Sequence, residues 1–263
     1  DDALVVDTRP GGVFAQPDKV HRLDYRGRWY NSRGPFTVPR SPQGQPVIIQ
    51  AGQSGRGIRF AARWGELVFA SYKTLPQARA LYRTLKDAVA AAGRNPDLVR
   101  IAPPVYPIVG ETRAIAEEKR AFADSLARPE DALALLGEVL NIDFAQYGLD
   151  DPIGEAVLAN MTGQHAIRDR VVQVSGKSNP TPRDFIDVSR RGTIHEAPVF
   201  CGTPADVADQ MEEWYQGEAC DGFVVAATHR PGGYEEFARL VVPELQRRGV
   251  FQKEYRGRTL REN

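Results

Sequence analysis

The sequence predicts an α/β protein built on a parallel sheet, and three patterns carry the prediction. A β-branched run, Val47-Ile48-Ile49-Gln50, leads through a glycine turn into a helix-forming stretch. The same strand-then-helix order returns at Leu67 and again near Phe223. Repeated βα units are connected most simply by parallel pairing.

Taken in order, residues 1–46 are rich in Gly, Pro and Arg and lack helical spacing, so they read as an extended arm. Within it Tyr25-Arg26-Gly27-Arg28-Trp29-Tyr30-Asn31 reads as a hairpin with Gly27 in its turn. Residues 47–127 hold the first βα units. Val47–Gln50 is expected to be a strand buried on both faces, and Ile58–Arg63 a short helix entered through Gly52-Gln53-Ser54-Gly55-Arg56-Gly57. Leu67–Ala70 is a second strand, and Thr74-Leu75-Pro76-Gln77 has the spacing of a capping box. Behind it Ala78, Leu81, Tyr82, Leu85 and Val89 share one helical face, with Gly93 as the stop. Ile101–Val109 reads as one further strand and Gly110-Glu111-Thr112 as the start of a helix reaching about Ala127.

Residues 128–198 break this rhythm. They are expected to be a helical insertion, with helices at Asp131–Leu140 and Glu155–Gln173 and a loop at Ser175–Pro182. Two readings stay open: a cover over the strand ends that shapes a site, or an appendage that aids solubility or contacts another subunit. Residues 199–263 supply the final unit and tail. Thr203-Pro204-Ala205-Asp206 caps a helix bearing Val207, Met211 and Trp214, Asp221-Gly222 introduces the strand Phe223–Ala227, and Tyr234–Arg247 is the last helix.

Composition excludes some functions. With 34 Lys+Arg against 34 Asp+Glu, interspersed, there is no basic footprint for nucleic acid or an anionic membrane. No stretch reaches the ~20 apolar residues of a membrane span, and a cytoplasmic location is expected. Cys201 and Cys220 are too few for a disulfide scaffold and are expected to be reduced. Neither Met161 nor Met211 stands at position 1, so the chain is expected to be a portion of a longer one.

The chemistry candidates are few. His21, His165, His195 and His229 are scattered and no metal-ligand spacing occurs, so no metal site is expected. No nucleophile elbow or complete P-loop is present. Gly52–Gly57 has the order strand, glycine turn, helix that can bind phosphate, because unpaired N–H groups and the positive dipole end point at an approaching anion. It is equally the order of an ordinary βα turn with Ser54 as N-cap. His229 follows the last strand in Thr228-His229-Arg230-Pro231-Gly232-Gly233, where barrel enzymes place catalytic groups, or else it makes only a structural hydrogen bond. As a catalytic residue it is the single candidate.

A longer match narrows these readings. Pro39-Arg40-Ser41-Pro42-Gln43-Gly44-Gln45-Pro46-Val47-Ile48-Ile49-Gln50-Ala51-Gly52-Gln53-Ser54, then Gly57 and Ala61-Ala62-Arg63, resembles the flavin-dependent monooxygenases of the bacterial-luciferase-like superfamily, in the branch of nitrilotriacetate monooxygenase component A and dimethyl-sulfide monooxygenase. Gly202-Thr203-Pro204, Asp209–Trp214, Asp221-Gly222-Phe223 and Val241–Gly249 resemble the same branch's C-terminal signature. The resemblance implies a (β/α)8 TIM barrel of which this chain is roughly the C-terminal half. It implies reduced FMN as cofactor, an NAD(P)H-dependent flavin reductase as partner, O2 as oxidant, a small N- or S-containing organic substrate and a homo-oligomer. It assigns Ser54 to the FMN phosphate and makes Gly55 a backbone donor beside it. Where the family often has Glu-Ala, this chain has Gly55-Arg56. The competing reading is a non-catalytic half-barrel acting as a structural or interaction unit.

Overall fold

The computed structural model describes residues 2–36 and 38–263. Two compact units divide the chain: Asp1–Val47 with Glu254–Asn263, and Ile48–Lys253. In the first, β1 (Tyr25–Arg26) and β2 (Asn31–Ser32) pair antiparallel, and Gly27 N bonds Tyr30 O at 2.9 Å across the turn, as the hairpin reading expects. The C-terminal segment closes this unit, with Arg261 N donating to Gln43 Oε1 at 3.0 Å.

The second unit is a parallel α/β assembly. Strand β3 (Ile49–Ala51) feeds α1 (Gly55–Trp64), and β4 (Leu67–Phe69) feeds α2 (Leu75–Ala91). β3 pairs parallel with β4, Gln50 opposite Val68. The expectation for Val47–Gln50 needs two corrections. The strand begins at Ile49, and it is not buried on both faces, since Ile49 is 58% exposed. Its physical reason is position: β3 has β4 on one side and no strand on the other among the described residues.

Helix α2 buries Ala78, Leu85 and Val89, with Leu81 and Tyr82 partly buried beside them, so the sequence spacing places that face correctly. Gly93 follows the helix at φ +76°, a left-handed stop that glycine adopts without a steric penalty. The Thr74 capping box does not form. Thr74 is the N-cap residue without a side-chain bond, and Gln77 Oε1 accepts instead from Lys73 N at 3.3 Å.

Residues 101–109 are two strands rather than one. β5 (Arg100–Ala102) pairs with β4, whereas β6 (Pro104–Val109) pairs with later strands. Pro103 and Pro104 explain the switch, because neither can donate to the β4 ladder. Helix α3 (Arg113–Ser125) then starts with Thr112 Oγ1 accepting from Ile115 N at 3.3 Å.

The insertion is helical as expected, with differences in detail. It holds α4 (Pro129–Leu140), α5 (Glu155–Ala159), α6 (His165–Ser175) and α7 (Pro182–Ser189). The single helix expected over Glu155–Gln173 is broken between Asn160 and Gln164. A Cβ on Gly163 would sit 1.9 Å from Val139 O, so the chain runs flush against α4 there. Helix α7 was not anticipated, although Thr181 and Asp184 form its capping box. Leu136, Leu140, Phe144, Ile153, Met161 and Phe185 give this segment a core of its own.

The chain returns through β7 (Val199–Gly202), parallel to β6, into α8 (Pro204–Gln216), whose Thr203/Asp206 capping box forms as read. Val207, Met211 and Trp214 are buried against Val68, Ile101 and Val105. β8 (Val224–Val225) pairs parallel with β6. It is shorter than Phe223–Ala227, although Ala226 N still bonds Val105 O at 2.9 Å. The last helix consists of α9 (Gly232–Glu236), a π-turn (Phe237–Val241) and α10 (Val242–Arg247). Pro243 lacks the N–H that an α-helix needs, and the wider turn lies just before it.

Candidate active site at the strand ends

β3, β4 and β5 run parallel in one three-stranded sheet, so their C-terminal ends lie at one edge, while β8 runs parallel to β6 in a second sheet, and the loops that leave these strand ends come from distant parts of the sequence. Three carry the polar groups of interest: Gly52–Ser54 after β3, Ala70–Lys73 after β4 and Thr228–Gly233 after β8.

The first loop is built by glycines. Gly52 has φ +134°, and a Cβ on Gly57 would lie 3.0 Å from Gly52 O and 3.2 Å from Gln50 Nε2. The turn therefore folds tightly against the first turn of α1. Ser54 is the N-cap: its Oγ accepts from Gly57 N at 3.1 Å, and its carbonyl accepts from Ile58 N at 2.8 Å. The N–H groups of Gly55 and Arg56 have no backbone or side-chain acceptor among the described residues. Arg56 is exposed. Gln53 Nε2 donates to Ser71 O at 2.6 Å, tying this loop to the one after β4. The N-cap reading of Ser54 is met, and the hydroxyl that accepts from Gly57 N keeps its own O–H free to donate.

His229 follows β8 in the second sheet and does not join Ser54. Its Nδ1 is 3.3 Å from Thr228 Oγ1, and its Nε2 lies where a Cβ on Gly232 would be only 2.6 Å away. The ring is exposed and rests on the start of α9. Apart from the Thr228 hydroxyl, no hydrogen bond links it to an acidic or nucleophilic group among the described residues, so this geometry supplies no base-and-orienter constellation around it.

Sequence reasoning missed a second polar group at this edge. Lys73 Nζ donates to Ser189 O at 2.9 Å and to Val188 O at 3.4 Å, reaching the end of α7. Arg191 Nη1 donates to Glu196 Oε1. Tyr106, on β6, has its phenol pushed up by burial first and by Glu196 second, so it remains a donor at neutral pH. Only the Arg190-Arg191 pair was available as a signal, and isolated loop charges do not reveal a long-range partner. No cluster of three or more His, Cys, Asp or Glu able to hold a metal occurs among the described residues.

The luciferase-like monooxygenase family model matches residues 19–221. The chain belongs to this family. It is 41% identical over 265 residues to the dibenzothiophene-sulfone monooxygenase of Rhodococcus erythropolis, covering 100% of this chain and 58% of the relative. It is 35% identical over 264 residues to nitrilotriacetate monooxygenase component A of Aminobacter aminovorans, again covering 100% and 58%. A riboflavin lyase solved with modified FMN and riboflavin superposes with a TM-score of 0.74 at 31% identity, covering 99% of this chain and 56% of that one. The chain thus spans little more than half the length of these luciferase-like relatives, in the branch its motifs indicate.

Proposed function

We propose that the enzyme to which this chain contributes oxygenates a small N- or S-containing organic compound with O2 and reduced FMN, the flavin being delivered by a separate NAD(P)H-dependent reductase. The observation that carries this reading is the Ser54 turn: a parallel strand, a glycine bend, and a helix N-terminus with two unpaired N–H groups. That donor set fits a phosphate. The names of the two curated relatives, one for a sulfone and one for an amino acid derivative with a tertiary nitrogen, support an S- or N-containing substrate.

In this reading Ser54 Oγ–H and the N–H groups of Gly55 and Arg56 donate to phosphate oxygens, and the positive end of the α1 dipole adds to the attraction. Glycine at 57 lets Gln50 and the turn approach closely, and the Gln53–Ser71 bond holds the loop in place. Once bound, reduced FMN would supply the electrons for O2 activation. The protein's part is to position it and to keep the strand edge shielded from water.

The β3, β4, β5 and β8 strands are, in this proposal, those of roughly the C-terminal half of a (β/α)8 barrel. Exposed Ile49, Phe60 and Trp64, at 58%, 51% and 52%, support a face that further strands or a second copy would cover. The same exposure favours the alternative of an interaction unit without catalysis. Anaerobic titration of the chain with reduced FMN, followed by tryptophan fluorescence, separates the two. Saturation at about micromolar concentration, near −8 kcal/mol, is expected for a working flavin site. A flat titration up to about 1 mM, near −4 kcal/mol, contradicts the flavin assignment for this chain.

A further inference from the structure

We infer that the tripeptide Ser71-Tyr72-Lys73, which follows β4, is the positioning element of the site: Tyr72 plants it in the core, Ser71 holds the phosphate turn through Gln53, and Lys73 holds the insertion. For the phosphate turn this rests on the functional reading above and deepens it by naming the residues that place its donors. The three residues bond to three different parts of the second unit. Ser71 O accepts from Gln53 Nε2 at 2.6 Å, Tyr72 Oη donates to Ala219 O at 2.8 Å, and Lys73 Nζ donates to Ser189 O at 2.9 Å.

Both bodies that the tripeptide holds need support from outside themselves. Strand β3 is three residues long and has a neighbouring strand on one side only among the described residues. Ala51 to Arg56 are exposed, and glycine at 52, 55 and 57 leaves this backbone more freedom than other residues would. The Ser54 cap closes on α1 itself and ties the turn to nothing beyond that helix. Gln53 makes the only side-chain hydrogen bond from Gly52–Gly57 to another loop among the described residues. The insertion is in a similar position, since its core is separate from the one beneath the strands. Lys73 supplies the only side-chain hydrogen bonds between helices α4–α7 and the strand-bearing layer among the described residues.

Tyr72 is what makes the tripeptide a fixed post. Its ring is buried and stacks on Trp214 with centroids 6.0 Å apart, and Trp214 meets Phe200 edge-on at 5.6 Å. Burial first, and then the neighbouring Cys220 and Asp221, raise the phenol's pKa, so at neutral pH the hydroxyl always has its proton to give to Ala219 O. With ring and hydroxyl both held, the flanking residues have little room to drift, because each Cα is only about 3.8 Å from that of Tyr72. On one side the Ser71 carbonyl then offers Gln53 a stationary acceptor. On the other the Lys73 ammonium sits on the last carbonyls of α7, where a cation is favoured by the helix dipole. The phosphate turn and the insertion thereby share one reference point in the core.

The test is amide hydrogen exchange, followed by NMR on the full 263-residue chain without ligand. Gly57 N and Ile58 N, bonded to Ser54, report on the turn, and Arg190 N, bonded to Ile186 O, reports on the end of α7. Gln53→Met should speed exchange at Gly57 and Ile58 about fivefold, the loss of one ordinary hydrogen bond, and leave Arg190 as it is. Lys73→Met should do the reverse. Tyr72→Phe, which keeps the stacked ring, should speed both sets while the α2 amides of Leu85 and Val89 stay protected. The proposal is overturned if Tyr72→Phe moves neither set or only one, if it speeds the α2 amides equally, as a general loss of stability would, or if Gln53→Met leaves the turn unchanged. Anaerobic titration of the same variants completes the test. Gln53→Met and Tyr72→Phe should reduce the preference for reduced FMN over reduced riboflavin, and Lys73→Met should not. An undiminished preference in the first two also overturns the proposal. If the exchange pattern appears but the native chain binds no reduced FMN, the positioning role stands and the flavin reading alone is contradicted.

Discussion

Asp221 accepts hydrogen bonds from Ile101 N at 2.8 Å and from Tyr82 Oη at 3.1 Å, and it pairs with Lys86 Nζ at 3.0 Å. One carboxylate thereby fixes β5, α2 and the approach to β8. Its side chain is only 9% exposed, so removing it strands a lysine in a poorly solvated position. Asp221→Ala is expected to lower unfolding free energy by about 3 kcal/mol, measured by urea titration. The Asp221-Gly222 pair was legible as the start of a strand, but its partners were not. Lys86 lies 135 residues away, and sequence spacing carries no information about contacts at that range. Ser54 is the opposite case. Its cap is made within three residues, so the local pattern alone placed it.

Between neighbouring elements the same division holds. Thr203 and Asp206 form their capping box although Arg113 also donates to Asp206, because the ionised carboxylate can accept from both partners at once, whereas the single amide oxygen of Gln77 is drawn to Lys73 N and leaves Thr74 uncapped. The polar linker before α7 concealed a real box at Thr181 and Asp184, since its proline and serine content reads as loop. Helix α10 shows an electrostatic device that titrates. Hydrogen bonds from Arg247 and then Arg248 draw the Glu244 carboxyl down from 4.5 to about 2. A folded pKa below the unfolded one means that the stabilisation is complete above about 4.5 and is lost as pH falls toward about 2. Glu244→Gln should therefore narrow its stability gap from the native chain across that window. Urea midpoints at a series of pH values check this, and a constant gap down to pH 2 would contradict it.

At the scale of the whole molecule, two cores are separable in sequence. One joins β4, β5, β6, α2 and α8, and the other lies wholly within the insertion. The parallel α/β class was legible because short apolar runs alternate with amphipathic helices. The exposure of β3 was not, because an apolar run looks the same whether or not a neighbour covers it. With Ile49, Phe60 and Trp64 uncovered, the chain is expected to self-associate. Sedimentation velocity should show a concentration-dependent shift that Phe60→Ser with Trp64→Ser abolishes. A single monomeric species at all concentrations would show that these side chains do not drive association.

The central claim is that the Ser54 turn is a phosphate cradle, and the most direct measurement compares reduced FMN with reduced riboflavin, which lacks the phosphate, on native chain and Ser54→Ala under anaerobic conditions. The account predicts that the native chain prefers FMN by about tenfold or more, the worth of a charge-assisted hydrogen bond, and that the variant loses most of this preference while binding riboflavin unchanged. Equal affinity of the native chain for the two flavins, or an undiminished preference in the variant, would contradict it.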